Sequence, residues 1–181
     1  MKKELTYTAD IPEDVDVSIE GKMINVKGEK GENKRLFHYP GIELKKEENK
    51  IILHSKIATK KEKSIMGVSL SHIKNMMSGV KEGFVYKLKI CSGHFPMTVE
   101  SKDKEIMINN FLGEKKPRIA KILEGADAKI DGEIITVESW NKELAGQTSA
   151  NIEKATKISG RDRRIFQDGI FIIEKDGRKI E

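Results

Sequence analysis

Residues 15–27 read Val-Asp-Val-Ser-Ile-Glu-Gly-Lys-Met-Ile-Asn-Val-Lys, two short alternating runs joined at Gly21. Val15, Val17 and Ile19 alternate with polar residues, and Ile24 and Val26 do so after the glycine. That is the period-two pattern of half-buried strands. Residues 97–109 repeat the plan, with Met97 and Val99, a polar turn, then Ile106 and Ile108. A second hairpin signal follows in each half: Ile51 and Leu53 after Glu48-Asn49, and Ile134 and Val137 after Asp131-Gly132. Each half closes with a helical pattern in which Gly67 and Ile73 parallel Gly146 and Ile152 at equal spacing. The chain is therefore read as a duplication. The expected fold class is α+β, two tandem duplicated lobes, each a small antiparallel β-sheet packed with one α-helix. The lobes are expected over residues 1–81 and 82–181, and the tail from residue 161 onward has no first-lobe counterpart.

Local signals sharpen this plan. Gly28 to Asn33 reads as a charged loop, and Leu36 and Phe37 as the start of another strand. Thr59 and Glu62 form a capping box, each side chain satisfying an orphan backbone N–H at a helix start. Met66, Leu70, Ile73 and Met77 then share one helical face, with Gly79 expected to end the helix. In the second lobe Phe84, Tyr86, Leu88 and Ile90 line one strand face. Asp131-Gly132 is a two-residue hairpin signal, with both residues expected at positive φ. Asn141 caps a helix whose inner face is Leu144, Thr148, Ile152 and Ala155, and Gly160 is expected to stop it. Ile170 to Ile173 reads as an apolar strand.

Hydrophobic residues make up 37% and charged residues 35% of the 181-residue chain, against about 25% charged in an average soluble domain. This fills two thin sheet-on-helix cores and leaves little for an enclosed catalytic cavity. The net charge of +5 is mild and fits any acidic partner. Cys91 is the one cysteine, so no intrachain disulfide forms. No run approaches the ~18 apolar residues of a membrane span, and the first residues lack a signal peptide's apolar stretch. A cytoplasmic protein with no membrane partner is expected. His38, His54, His72 and His94 stand apart, without metal-ligand spacing to one another or to Cys91. His72, beside Ile73, reads as a partly buried structural residue. No phosphate-cradling glycine loop or recognisable nucleophile context is present. No catalytic residue, metal or cofactor is expected.

Clustered cations say more than the net charge. Lys115, Lys116, Arg118 and Lys121 face only Glu114, a local +3, and Lys157, Arg161, Arg163 and Arg164 face only Asp162, again +3. A helix dipole accounts for Lys154 and Lys157 near a C-terminus, but the arginines lie beyond its reach. Arginine offers forked donors that match phosphate, so these loops read as polyanion contacts. A third group, Lys56, Lys60, Lys61 and Lys63, opens a helix where the dipole disfavours cations, and reads as an exposed face, with contact to an anionic partner as the alternative. In Gly93-His94-Phe95-Pro96, the proline holds Phe95 extended. Phe95 is either a core plug or an aromatic platform for a base, and His94 is placed at a turn to meet a phosphate.

At these residues the chain resembles a known family. Tyr86-Lys87-Leu88-Lys89-Ile90, His94-Phe95-Pro96-Met97 and Asn110-Phe111-Leu112-Gly113-Glu114-Lys115, in this order, resemble the large-subunit ribosomal protein L-six family in its archaeal and eukaryotic form. The tail from Arg161 to Ile170 fits that branch, and the likeness runs nearly end to end. The resemblance implies a non-enzymatic structural protein of the large ribosomal subunit that binds large-subunit ribosomal RNA mainly through its second lobe. It also implies a place beside the sarcin–ricin loop, near neighbouring ribosomal proteins and docking translational GTPases. Carried over, the RNA contacts are His94, Lys115, Lys116, Arg118, Arg161, Arg163 and Arg164, to which the charge clusters add Lys121 and Lys157. The rival reading is a protein–protein adaptor that binds an acidic partner.

Overall fold

A computed structural model of the chain describes residues 3–162 and 164–180, and the chain divides into two units, Met1–Gly83 and Phe84–Glu181. The first unit runs β1 (Lys3–Asp10), β2 (Asp16–Glu20), β3 (Met23–Gly28), β4 (Gly31–Leu36), β5 (Glu43–Glu47), β6 (Lys50–Ala58) and α1 (Lys60–Lys81). Its strands form two antiparallel sheets, β1-β6-β5 and β2-β3-β4. The helix packs on both, burying Met66, Ile73, Met77 and Val80 against Val17, Ile24, Val26, Ile51 and Leu53.

The second unit repeats this order. It contains β7 (Phe84–Cys91), β8 (Thr98–Lys102), β9 (Glu105–Asn109), β10 (Arg118–Lys121), β11 (Ala126–Asp131), β12 (Ile134–Ser139) and α2 (Lys142–Ala155). Sheet β8-β9-β10 matches β2-β3-β4, and β11-β12-β7 matches β5-β6-β1. The unmatched tail supplies β13 (Gly169–Lys175) and β14 (Arg178–Lys179), which extend the sheet from the free side of β7. The core joins Leu88, Ile106, Ile108, Phe111, Ile135, Val137, Ile152 and Ile170.

Several local expectations shift by a residue or a turn. β1 has no counterpart in the periodicity reading. Leu36 ends a strand rather than starting one, because the Gly28–Gly31 pair closes a tight turn and β4 begins inside the charged segment. Gly28 must be small: a Cβ there would stand 2.7 Å from the Val80 carbonyl oxygen of α1. α1 continues through Gly79 to Lys81, and the left-handed residue is Gly83, φ +80°, whose N–H donates to the Gly79 carbonyl at 3.0 Å. α2 ends at Ala155, well before Gly160, and buries Ala145 and Ser149 with Thr148 and Ile152, while Leu144 is only half-buried. In the hairpin at Asp131, the register pairs Asp131 with Ile134. The central residues are thus Gly132 and Glu133, and only Gly132 has positive φ, +57°.

The Thr59 capping box forms as expected. Its hydroxyl oxygen accepts the Lys61 N–H at 3.2 Å, and the Glu62 carboxylate accepts the Thr59 N–H at 2.9 Å and also its hydroxyl. Those bonds hold the Glu62 carboxyl below its ordinary range, the Thr59 side chain contributing most. Thr59→Ala removes the cap, and the expected loss is about 1 kcal/mol of stability, read as a lower urea midpoint at unchanged slope.

Candidate nucleic-acid interface

The register that sets β13 against β7 pairs Gly169 with Cys91, so Asp168 lies beside the Gly93-His94 turn. Asp168 is 3% exposed. One carboxylate oxygen accepts the Gly93 N–H at 2.6 Å and the His94 N–H at 2.9 Å, and the other meets His94 Nδ1 at 2.6 Å. Burial pushes the Asp168 carboxyl up, but the bonds from the His94 backbone, its ring and the Gly93 N–H together outweigh it and hold the group below its ordinary value. With Nδ1 engaged, Nε2 is the other ring nitrogen, on a side chain 40% exposed. The His94 ring stacks on Phe166 with centroids 4.8 Å apart and planes 28° from parallel. The Arg161 guanidinium lies 4.8 Å from the centre of the same Phe166 ring. Thr156, which caps α2, accepts the Ile170 N–H at 2.9 Å and donates to the Glu153 carbonyl at 3.1 Å, fixing the helix end to β13.

The first basic loop reaches the same end of α2 through Arg118. Its Nε and Nη2 bind the Glu114 carboxylate at 2.8 and 2.6 Å, while Nη1 donates to the Ala155 carbonyl at 2.9 Å and the Lys157 carbonyl at 3.2 Å. The guanidinium also covers the buried Phe111 ring at 4.2 Å. Four of its five N–H donors are thus engaged within the chain. Hydrogen bonding to Arg118 is the main reason the Glu114 carboxyl is held below its ordinary range, and the charge of Arg161 adds to it. Arg118 joins the two basic loops and is itself largely consumed in doing so.

The other predicted residues are differently placed. Lys115, Lys116 and Lys157 are exposed and form no ion pair among the described residues. Lys121, also exposed, sits about one turn back along α2, where its carbonyl accepts the Asn151 amide at 3.3 Å. Arg164 is paired with Asp162 at 2.7 Å, yet its side chain is 90% exposed. The guanidinium lowers the Asp162 carboxyl from its ordinary value. A pair so open to water exchanges for a phosphate with little loss. Arg163 lies outside the described residues. Phe95 is 45% exposed and rests on Gly113, so it is no core plug; Phe111 fills that role. Asn110 ties the two motifs together, donating its amide to the Pro96 carbonyl at 2.9 Å. His72, half-buried, meets Arg35 at 3.4 Å in the first unit.

Sequence reasoning misses Asp168, Phe166 and Phe171 as site residues. The one local hint for Asp168 is an acid before a glycine at the mouth of an apolar strand. Between His94, Phe171 and the end of α2 lies an open cleft of about 1070 Å³, walled by Lys157, Ile158, Arg164 and Ile165.

The sequence pattern of the family described as "Ribosomal protein L6" matches residues 11–83 and 95–169, one match in each unit. "Large ribosomal subunit protein uL6" of Methanococcus vannielii is 49% identical over 94% of this chain and 94% of its own length. The protein of that description from Methanosarcina mazei is 47% identical over 97% of this chain and 99% of its own. That from Methanobrevibacter smithii is 46% identical over 92% and 94%. The doubled fold, the basic end of the second unit and these near-complete matches converge: the chain belongs to the Ribosomal protein L6 family.

Proposed function

We propose that this protein is a non-enzymatic structural constituent of the large ribosomal subunit, in the cytoplasm, and that its second unit binds large-subunit ribosomal RNA. The observation that carries this is the Arg118 clamp, which sets two basic loops at one end of α2. Lys115, Lys116, Lys157, Arg161 and Arg164 are exposed on the two loops so joined, and Arg161 lies over the Phe166 ring that stacks on His94. Such a surface neutralises phosphates and reads the shape of folded RNA rather than a base sequence. The finer reading places the interface beside the sarcin–ricin loop, with translational GTPases docking nearby and ribosomal proteins as neighbours. Lys121 and Arg163 belong to the proposed RNA-binding set through the charge clusters in the sequence. Arg118 enters it as the residue that positions the others.

Each phosphate neutralised releases counterions, so binding weakens steeply with salt. Replacing Arg161, Arg163 and Arg164 together by Ala is expected to weaken RNA binding and flatten the log–log salt slope by about 1 for each phosphate no longer neutralised. Filter binding across a salt series measures both, and an unchanged slope removes these arginines from the interface. For the chain as a whole, the test is sucrose-gradient sedimentation of extract: it travels with the large subunit and stays through a moderate salt wash. Sedimentation at the top of the gradient, insensitive to RNase, returns the adaptor reading.

A further inference from the structure

We infer that the cleft between His94, Phe171 and the end of α2 receives a single unpaired nucleotide of the bound RNA. This deepens the proposed RNA reading and rests on it.

Charge alone does not explain the cleft. Phe171 is 39% exposed and Ile165 is 64% exposed, both lining a cavity of about 1070 Å³. The Phe171 ring folds back over Gly169, where an added Cβ would stand 3.2 Å from it. Gly169 has φ +154°, and the absence of a side chain there lets the ring lie against the backbone. The ring is thus held flat by the strand that carries it while much of its surface stays open to the cleft. An RNA duplex presents phosphates and sugar edges and makes no use of an apolar floor. A base turned out of its helix does, because its face stacks on aromatic and aliphatic surface while its phosphates stay in water.

The rim supplies the complementary charge. Lys154, Lys157 and Arg164 line the same cleft. They outnumber Glu153 and Asp168, the two acids of the lining, and oppose the C-terminal dipole of α2, which by itself repels phosphate. On the wall, Asp168 holds His94 through Nδ1, so Nε2 is the ring atom left to bond a base edge or ribose hydroxyl. Asp168 acts as a positioning residue, three bonds fixing the turn that carries His94. The Glu153 carboxylate, also at the cleft, accepts the Ile172 N–H at 3.3 Å and so is partly satisfied within the chain.

The test uses the full chain and two RNA hairpins of equal phosphate count. One has a continuous stem, and the other carries one bulged 2-aminopurine. The bulged hairpin is expected to bind about tenfold tighter, with its fluorescence quenched on binding, about 1.4 kcal/mol of preference. Phe171→Ala and, independently, the surface substitution Ile165→Ala should each bring the affinity of the bulged hairpin down to that of the continuous one and abolish the quench. Phe171→Tyr should retain the preference and the quench. Equal binding of the two hairpins without quenching overturns the cleft assignment and leaves the RNA reading standing. Failure of both hairpins to bind overturns the RNA reading and the cleft assignment with it. Displacement of the bulged hairpin by an acidic, apolar peptide but not by free single-stranded RNA assigns the cleft to protein and overturns the inference.

Discussion

Asp168→Ala is expected to lower stability by about 3 kcal/mol and to weaken RNA binding by about tenfold or more. The buried carboxylate accepts two backbone N–H groups and the His94 ring. Hydrogen bonds to a charged group contribute about 1.5–3 kcal/mol each, and rehydration of the exposed Gly93-His94 turn keeps the sum below three full bonds. The same loss frees His94 and the β7–β13 junction, which accounts for the effect on binding. The pH dependence has a definite sign. The folded pKa of Asp168 lies below its ordinary 3.8. Its stabilisation is therefore complete above that value and disappears as pH falls through the lowered folded value. Urea titrations from pH 7 down to about pH 2 should show wild type losing an acid-labile increment that the variant lacks. Curves that stay parallel through the acid range would sink this account of Asp168. Asp168→Asn keeps an acceptor for the backbone donors but removes the charge, and its stability should fall between the two.

What can be read from the sequence is local. The hairpin at Gly21 and both helix caps depend on residues within four positions of one another, so periodicity and cap chemistry locate them. β1 carries the same period-two pattern, Leu5, Tyr7 and Ala9 alternating with charged residues and threonines, so it is legible by the same rule although absent from the expected strands. The helix ends differ from expectation for another reason. A glycine stops a helix where the chain must take positive φ, and the sequence does not show that Gly83 rather than Gly79 has that task. Charge marks the basic loops correctly as exposed, since Lys115, Lys116 and Arg161 need no partner to be recognised. The arrangement that turns them into a surface is out of its reach. His94 and Asp168 are 74 positions apart, and Arg118 meets Ala155 across 37. Only the β7–β13 register and the packing of α2 on β10 bring such pairs together.

Arg118 illustrates how a cation in a basic loop can serve an interface without touching the ligand. Arg118→Ala is expected to cost about 2 kcal/mol, at the low end for bonds to charged groups because Glu114 is partly open to water. The decisive variant is Arg118→Lys. An ammonium group preserves the charge but not the planar fork that spans Glu114 and two carbonyls at once. Were Arg118 a phosphate ligand, lysine would restore binding and the salt slope together. As a clamp, it is not replaceable: Arg118→Lys should unfold at nearly the same urea concentration as Arg118→Ala, and RNA affinity should drop several-fold. The slope should change less than it does when Arg161, Arg163 and Arg164 are removed. Hydrogen exchange adds an independent measure. The amides of Gly113 and Glu114 and those at the end of α2 should lose protection in both variants, since the Arg118 side chain bonds both segments. A lysine variant with wild-type stability and protection would return Arg118 to the phosphate-binding set and leave the meeting of the two basic loops to be explained by backbone packing alone.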